Sequence, residues 1–407
     1  MRLAVDLHSH SSYAGGVGKL DLKTVSTSMK LKGIDIFGSG DCLFPLRLKE
    51  LQIQLEENAP GLYSCPGDKS KFVLQSEVIF TTMIPDHKNR IVAHHIILFP
   101  DFTTVTRMQL LLDKWGMKNS IGRPFLVSEN REQLQDQLFE IANLHPLLEI
   151  IPAHIMTPDG IYGSRNNLQC LEEFYGGFMG NIRIIETGLS ADPDMLADIP
   201  DLSDLTFISN SDCHSAALNR IGREFTIISA DSISYNAVIK SLRENSIIMT
   251  VEFHPAEGRY YLTGHRSDRP HHKSAVFYDG ELPADMICPV CGKRLLPGVK
   301  QRCADLRKKG SRTRNRKFLH LIPLVEVIAI AQRVRSVNSR AVISTFNSIV
   351  NIYGSEIALW MAEDIQEQLD KRVDPKTINK IITVQKGGFT FKPPGFDGLY
   401  GILHIGE

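Results

Sequence analysis

From residue 2 to about 245, short apolar runs rich in β-branched residues alternate with amphipathic stretches. Strict alternation marks strands, and recurrence of apolar positions every three or four residues marks helices. Strands are predicted at Leu3–Leu7, Ile34–Gly38, Phe72–Ile79, Ile91–Phe99, Glu149–Ala153, Ile182–Glu186, Leu205–Ser209 and Phe225–Ile228. Helices are predicted between them, among them Leu22–Lys32, where Leu22, Val25 and Met29 share one face, and Glu129–Ala142. This succession predicts an α/β fold, a parallel barrel or an irregular version of one, in which the C-terminal ends of the strands share a rim.

The pattern changes after about residue 250. A polar, His-rich stretch leads into the knuckle ICPVCGKRL and a basic run, and from Phe318 to about Ile382 the periodicity is helical, with segments near Ile322–Val334, Val342–Ile352 and Glu356–Leu369. The tail, with Asp397–Gly398 as turn signal, reads as a β-hairpin. Three units follow from this: 1–250, 251–317 and 318–407.

Composition narrows the class. The 407 residues are 43% hydrophobic and carry 46 basic against 46 acidic side chains, which excludes disordered, collagen-like and histone-like chains. The neutrality conceals one basic segment: Lys293, Arg294, Lys300, Arg302, Arg307, Lys308, Lys309, Arg312, Arg314, Arg316 and Lys317 surround a single acid, Asp305. Such a strip fits a phosphate backbone. The N-terminus lacks the features of a secretory signal, and the apolar run Leu321–Ala331 is too short to span a bilayer, so no membrane partner and a cytoplasmic location are expected. Seven scattered cysteines favour reduced thiols.

Polar residues gather at the predicted strand ends. Asp6, His8 and His10 close the first strand, Asp41 follows the second, Glu77 lies in the third, and His94 and His95 lie in the fourth. His154 ends the fifth, Glu186 the sixth, and Asp212 and His214 follow the seventh. Imidazoles and carboxylates converging on one rim suit divalent ions of the zinc, manganese or magnesium type, and a multinuclear site suits phosphodiester hydrolysis. Cys288 and Cys291 supply half of a structural zinc site. The other half must come from His265, Asp268, His271, His272 or Cys303, with His271 or His272 favoured.

DLHSH, GSGD, the Glu of LQSEVIF, the HH of RIVAHHIILFP, IPAH and SNSDCH resemble the metal-binding motifs of the polymerase and histidinol phosphatase (PHP) superfamily. Together with IIETGLSADPDM, IGREF, EFHPAEGRYYLTGHR, CPVCGKRL, LIPLVEVIA and PGFDGLYG, the ordered set resembles the endonuclease Q family along essentially the whole chain. The resemblance implies an irregular PHP-type (β/α) barrel with a small zinc-binding insert and a helical C-terminal domain. It also implies a metal-dependent DNA-repair endonuclease, nucleoid-associated, that nicks double- or single-stranded DNA 5′ to uracil, hypoxanthine, xanthine or an abasic site. The implied ligands of two or three ions are His8, His10, Asp41, Glu77, His95, His154, Asp212 and His214, with His94 second to His95. Glu77 is the implied bridging carboxylate, and Glu77, Asp212 and His214 are the implied catalytic set. Arg223, Lys293, Arg294, Lys300 and Arg302 are the expected DNA contacts.

The chain departs from the family pattern at three places. Ala14–Gly18 stands where another histidine is common, Cys42 stands in a histidine's place, and Asp159–Gly160 replaces an aromatic pair. A sliding clamp is left open as a partner, although no tail motif for it is seen before Gly406–Glu407. A PHP-type small-molecule phosphatase and a DNA-binding module with a decayed metal site are the alternatives.

Overall fold

The structure, a computed structural model, describes residues 1–15, 20–117, 119–307 and 316–406. Lys308, Lys309, Arg312 and Arg314 of the basic run, and Gly16–Gly18, lie outside the described residues. The fold is mixed α/β around a central sheet, ordered Phe318–His320, Ile247–Glu252, Phe225–Ser229, Arg2–Asp6, Ile36–Gly38, Lys71–Thr82, Leu62–Ser64 and Glu56–Ala59.

Strand directions are mixed, unlike the all-parallel expectation. Arg2–Asp6 runs parallel to Ile36–Gly38, and that strand parallel to Lys71–Thr82, but Phe225–Ser229 is antiparallel to Arg2–Asp6. Lys71–Thr82 pairs antiparallel with Ile91–Phe99, which pairs antiparallel with Glu149–Pro152. The reason is local. The connection between Thr82 and Ile91 holds Pro85 and a left-handed Asp86 (φ 63°), enough for a turn and too short for the helical crossover that parallel neighbours need.

Ile184–Glu186 and Thr206–Ile208 form a separate parallel pair. Side chains tie it to its neighbours: His154 N donates to Glu186 Oε2 at 2.7 Å, and Thr187 Oγ1 and Ser209 Oγ each donate to Glu252 Oε2 at 3.0 Å. Val5, Ile36, Val73, Ile96, Ile151, Ile184, Ile208 and Ile228, from eight strands, pack into one buried cluster. The ends of these strands are therefore held close above a shared apolar floor. Outside, the helix Leu22–Lys32 begins at an Asp21 cap, ends at Gly33 (φ 91°), and buries Leu22, Val25 and Met29 against the sheet.

Residues 263–306 form a two-stranded hairpin, Thr263–His265 with Val276–Tyr278, then the knuckle and the helix Val299–Leu306. The chain returns to the sheet at Phe318–His320, parallel to Ile247–Glu252. The helices Leu324–Ala331 and Arg340–Tyr353 follow as expected, but the segment expected at Glu356–Leu369 breaks into Glu356–Trp360 and Ile365–Leu369. Pro375–Gln385 adds a helix capped by Asp374, and Phe389–Phe391 pairs with Leu403–Ile405 in the terminal hairpin. Lys32 and Glu356, both nearly fully buried, join at 2.8 Å and tie these helices to Leu22–Lys32. No helix among the described residues is long and apolar enough to cross a membrane.

Candidate functional site

The first strand stops at Asp6, and the chain continues extended through DLHSH, so His8 and His10 project the same way by the period-two rule. Asp6 fixes the facing loop: its carboxylate accepts from Ser211 N at 2.9 Å and Gly222 N at 3.1 Å. Burial pushes Asp6 up to about 7 despite these donors. Asp41, His154 and Asp212 all adopt left-handed backbone, with φ of 52°, 30° and 45°. Strained backbone concentrated at one rim is a mark of a functional site. Gly188 is required beside it, since a Cβ there would lie 2.4 Å from His154 Cβ.

These elements bring together three overlapping groups: His8, His10 and Glu77; His10, Asp212 and His214; and Glu77, His94 and His154. Within each group the candidate ligand atoms lie within 4.8 Å of one another. His154 Nε2 stands 3.1 Å from Glu77 Oε1, His10 Nε2 stands 3.5 Å from Glu77 Oε2 and 3.2 Å from Asp212 Oδ1, and His8 Nε2 stands 3.7 Å from Asp212 Oδ1. Three buried atoms facing this centre, His8 Nε2, Glu77 Oε2 and Asp212 Oδ1, have no hydrogen-bond partner. Orphaned buried acceptors beside imidazole nitrogens fit bound divalent cations.

The outer nitrogens support the same reading. His8 Nδ1 donates to Glu186 at 3.1 Å, His10 Nδ1 to Asp41 at 3.1 Å, and His154 Nδ1 to Thr157 Oγ1 at 2.9 Å, leaving each Nε2 aimed inward. Metal-binding histidines are held in this way. Burial alone would raise Glu77 and Asp212, but the imidazoles around them outweigh it and hold both carboxyls well below the usual range. Reciprocally, His8, lowered by burial, is brought up to about 9 by Glu186, Asp212 and Glu77. The centre is an anionic nest that calls for positive charge.

Several expected residues sit elsewhere. His95 turns away from the centre: Nδ1 donates to Ala93 O at 3.2 Å, Nε2 accepts from Tyr175 OH, and burial drives its pKa down to about 3. His94 takes the place, donating through Nδ1 to Glu77 Oε1 at 2.7 Å. The cause is strand register. Val78 stands opposite His95 and Ile79 opposite His94, so Glu77 shares a face with His94, while His95 faces the apolar side with Val78 and Phe80. Asp41 is not among the grouped ligands; one oxygen accepts from His10, and the other accepts from Ser11 N and Oγ at 2.6 Å. Cys42 is a fully buried thiol pushed further up by desolvation, 3.7 Å from Ser76 Oγ, so it acts as packing.

Glu186, singled out at its strand end but given no role by sequence, holds His8. Arg123 gave no sequence signal; its Nη1 lies 3.6 Å from Glu77 Oε2 at the partly open mouth. The preceding Gly122 lets the chain pass close to Asp41, since a Cβ there would lie 2.7 Å from the Asp41 carboxylate carbon.

The second centre gathers His265, His272, Cys288 and Cys291. His272 Nε2 is 3.2 Å from Cys288 Sγ, and His265 Nδ1 is 3.4 Å from Cys291 Sγ. His271, favoured from sequence beside His272, is instead exposed, turned outward by a left-handed backbone (φ 67°), and Cys303 is buried in the helix Val299–Leu306. Desolvation raises the Cys288 thiol, but the backbone N–H groups of Cys291 and Val290 and the His272 imidazole bring it down to about 7. Two thiols and two imidazoles are a donor set that fits a divalent ion held tetrahedrally.

Of the expected DNA contacts, Arg223 is buried, with Nε donating to Ser211 O at 3.0 Å and the guanidinium over Phe253. Arg302 is buried too, donating to Tyr162 O at 3.0 Å and to Leu168 O. Both brace loops and are closed to a phosphate. Lys300 pairs with Asp279, whereas Lys293 and Arg294 are exposed.

No protein-family model matches the chain. An uncharacterized protein of Methanocaldococcus jannaschii is 33% identical over 226 residues, 53% of this chain but 28% of that protein, so the chain spans under a third of that relative. The uncharacterized protein YqxK of Bacillus subtilis is 26% identical across 98% of both chains. Among solved structures, the lesion-specific endonuclease PfuEndoQ from Pyrococcus furiosus is similar over 100% of this chain and 96% of that one, with TM-score 0.82 and 28% identity. Endonuclease Q bound to a 27-mer duplex substrate with an abasic lesion at its active site matches with TM-score 0.83 and 27% identity, over 100% and 97% of the two chains.

Proposed function

We propose, from its whole-length likeness to endonuclease Q, that this chain is a metal-dependent endonuclease of PHP type that nicks DNA 5′ to deaminated bases or abasic sites. The observation that carries the reading is the set of three overlapping groups joined through Glu77 and His10. Two or three closely spaced cations suit in-line displacement at a phosphodiester, and a monoester-specific pocket would have no use for the knuckle.

When bound, divalent cations there would supply a hydroxide nucleophile at neutral pH and neutralise the phosphate. Glu77, shared by two of the groups, would supply a carboxylate oxygen to each. His8 and His10 would complete one group, His10, Asp212 and His214 a second, and His94 and His154 the third. Glu186, Asp41 and Thr157 lock the ring orientations of His8, His10 and His154. Arg123 presents its guanidinium to a non-bridging phosphate oxygen, stabilising charge that grows as the 3′-oxygen leaves. In the knuckle, His265, His272, Cys288 and Cys291 would hold a structural zinc ion.

The test is a nicking assay on duplexes carrying uracil, hypoxanthine, xanthine or an abasic site, with manganese, magnesium or chelator. Metal-dependent cleavage 5′ to at least one lesion, absent on undamaged DNA, is expected. Hydrolysis of a phosphate monoester with every lesion left intact would establish the phosphatase alternative instead.

A further inference from the structure

The loop between Thr206–Ile208 and Phe225–Ser229 carries Asp212 and His214 and holds no helix or strand of its own. Asp6 closes its base through Ser211 N and Gly222 N, and Arg223 Nε donates to Ser211 O. The left-handed backbone of Asp212 (φ 45°) persists only where its surroundings over-determine it. Without secondary structure in the loop, side chains from outside must do so.

The far part of the loop, Ala216 to Asn219, meets three of them. Ser28 Oγ donates to Ala216 O at 2.8 Å and Lys32 Nζ to Leu218 O at 3.1 Å, both from the helix Leu22–Lys32. Asn219 Nδ2 donates to Glu326 Oε1 at 3.0 Å, in the helix Leu324–Ala331. Lys32 is itself held by Glu356 at 2.8 Å, and the same oxygen, Oε1, accepts from Leu324 N at 3.0 Å and Trp360 Nε1 at 3.3 Å. One carboxylate thus joins the start of Leu324–Ala331, the helix Glu356–Trp360 and the lysine that holds the loop. These helices have no room to slide past one another, since a Cβ on Gly33 would lie 2.7 Å from Ser355 Oγ.

We propose that Glu326 and the Lys32–Glu356 pair are positioning residues for the metal centre: through Asn219 and Leu218 O they make the helices Leu324–Ala331 and Glu356–Trp360 the support that keeps Asp212 and His214 beside His10. The proposal rests on the reading of that group as a cation site. Coupling of this kind is reciprocal, so a cation bound by His10, Asp212 and His214 steadies the two helices in turn.

The experiment is a calorimetric manganese titration of the zinc-loaded protein, with hydrogen exchange read in the two helices without and with manganese. Asn219→Ala and Glu326→Ala are each expected to weaken the manganese constant about 5-fold, and the double variant no more than either alone. Glu326→Gln keeps an accepting oxygen and is expected to restore it. Lys32→Met with Glu356→Gln leaves no lone buried charge, so the fold survives, and is expected to weaken the constant about 10-fold. In the wild type manganese should slow exchange in both helices, and in that paired variant the protection should vanish. Asp374→Ala strips the cap from the helix Pro375–Gln385 without touching the loop, and should lower the melting temperature with the manganese constant unchanged. Wild-type constants in Asn219→Ala and in the paired variant would overturn the proposal and leave the metal centre standing. Equal weakening by Asp374→Ala would also overturn it, by reducing the effect to a loss of general stability. A wild-type protein that binds no manganese would overturn the reading of the centre itself.

Discussion

Glu186 offers a sharp test of the metal centre because it acts on the centre only through other residues, His8 and His154. It is fully buried, and its oxygens accept from His8 Nδ1 at 3.1 and 3.2 Å, from Asn210 Nδ2 at 2.9 Å and from His154 N at 2.7 Å. Asn210 cannot turn over to help, since its Oδ1 accepts from Leu7 N at 2.6 Å. Glu186→Gln keeps the shape but replaces one acceptor with an NH₂ that can only donate. Every partner is a donor, so one of them must then face a donor. If it is His154 N, the strand end that carries His154 shifts; otherwise Asn210 is displaced, and in both cases the hold on His8 Nδ1 narrows from two oxygens to one, which loosens the ring that aims Nε2 at the centre. Loss of such a carboxylate behind a ligating histidine costs about 10–100-fold in metal affinity or activity, or ~1.4–2.8 kcal/mol. The assay is manganese-dependent single-turnover nicking, with a calorimetric manganese titration beside it. The apparent metal constant should weaken by that factor, and saturating manganese should recover most of the rate. An unchanged metal constant and rate would refute the idea that Glu186 sets the ring of His8, and with it the assignment of His8 Nε2 as a ligand.

Arg123→Met should lower the single-turnover nicking rate about 100-fold, the usual cost of removing one charge-stabilising donor, with duplex affinity changed far less; an unchanged rate would remove Arg123 from the mechanism. Burial, countered only in part by Thr250, Ser209 and Thr187, raises Glu252 from 4.5 to about 8, so between these values the folded protein keeps a proton that the unfolded chain gives up. That contribution is complete below 4.5 and is lost as pH rises toward 8, at up to ~1.4 kcal/mol per pH unit. Glu252→Gln should therefore gain thermal stability over the wild type as pH rises between those limits, and a melting difference independent of pH would contradict it.

The strand ends were legible because their signals are local. β-branched runs stopping at His, Asp or Glu need no knowledge of partners, and the shared apolar floor of Val5, Ile36, Val73 and Ile96 confirms that those ends meet. Strand direction was not legible, because it hangs on whether residues 83–90 hold a turn or a helix, and a left-handed Asp86 leaves no periodic trace. Nor does periodicity alone say where an amphipathic run will break, as the run expected from Glu356 to Leu369 does after Trp360.

The choice between His94 and His95 shows where residue-by-residue reading stops. Adjacent histidines on one strand must face opposite sides, so one bit of information decides between them. That bit is not in the strand itself. It lies in the register against Lys71–Thr82, which sets Ile79 opposite His94 and so puts Glu77 on the same face. The knuckle poses a similar problem: the left-handed turn at His271 points that ring outward and leaves His272 to ligate, while His265 arrives from a strand whose pairing with Val276–Tyr278 no spacing rule foretells. Asp41 and Arg302 fail for a related reason. Both have the right charge at the right place in the chain, yet Ser11 and His10 engage the first, and carbonyls of Tyr162 and Leu168 the second. A charged side chain is available for chemistry only after its nearer neighbours have been served, and that accounting is three-dimensional. It is also why Arg123, silent in the sequence, comes forward: its Nε has no hydrogen-bond partner, and its Nη1 reaches toward Glu77 at a mouth still open to solvent.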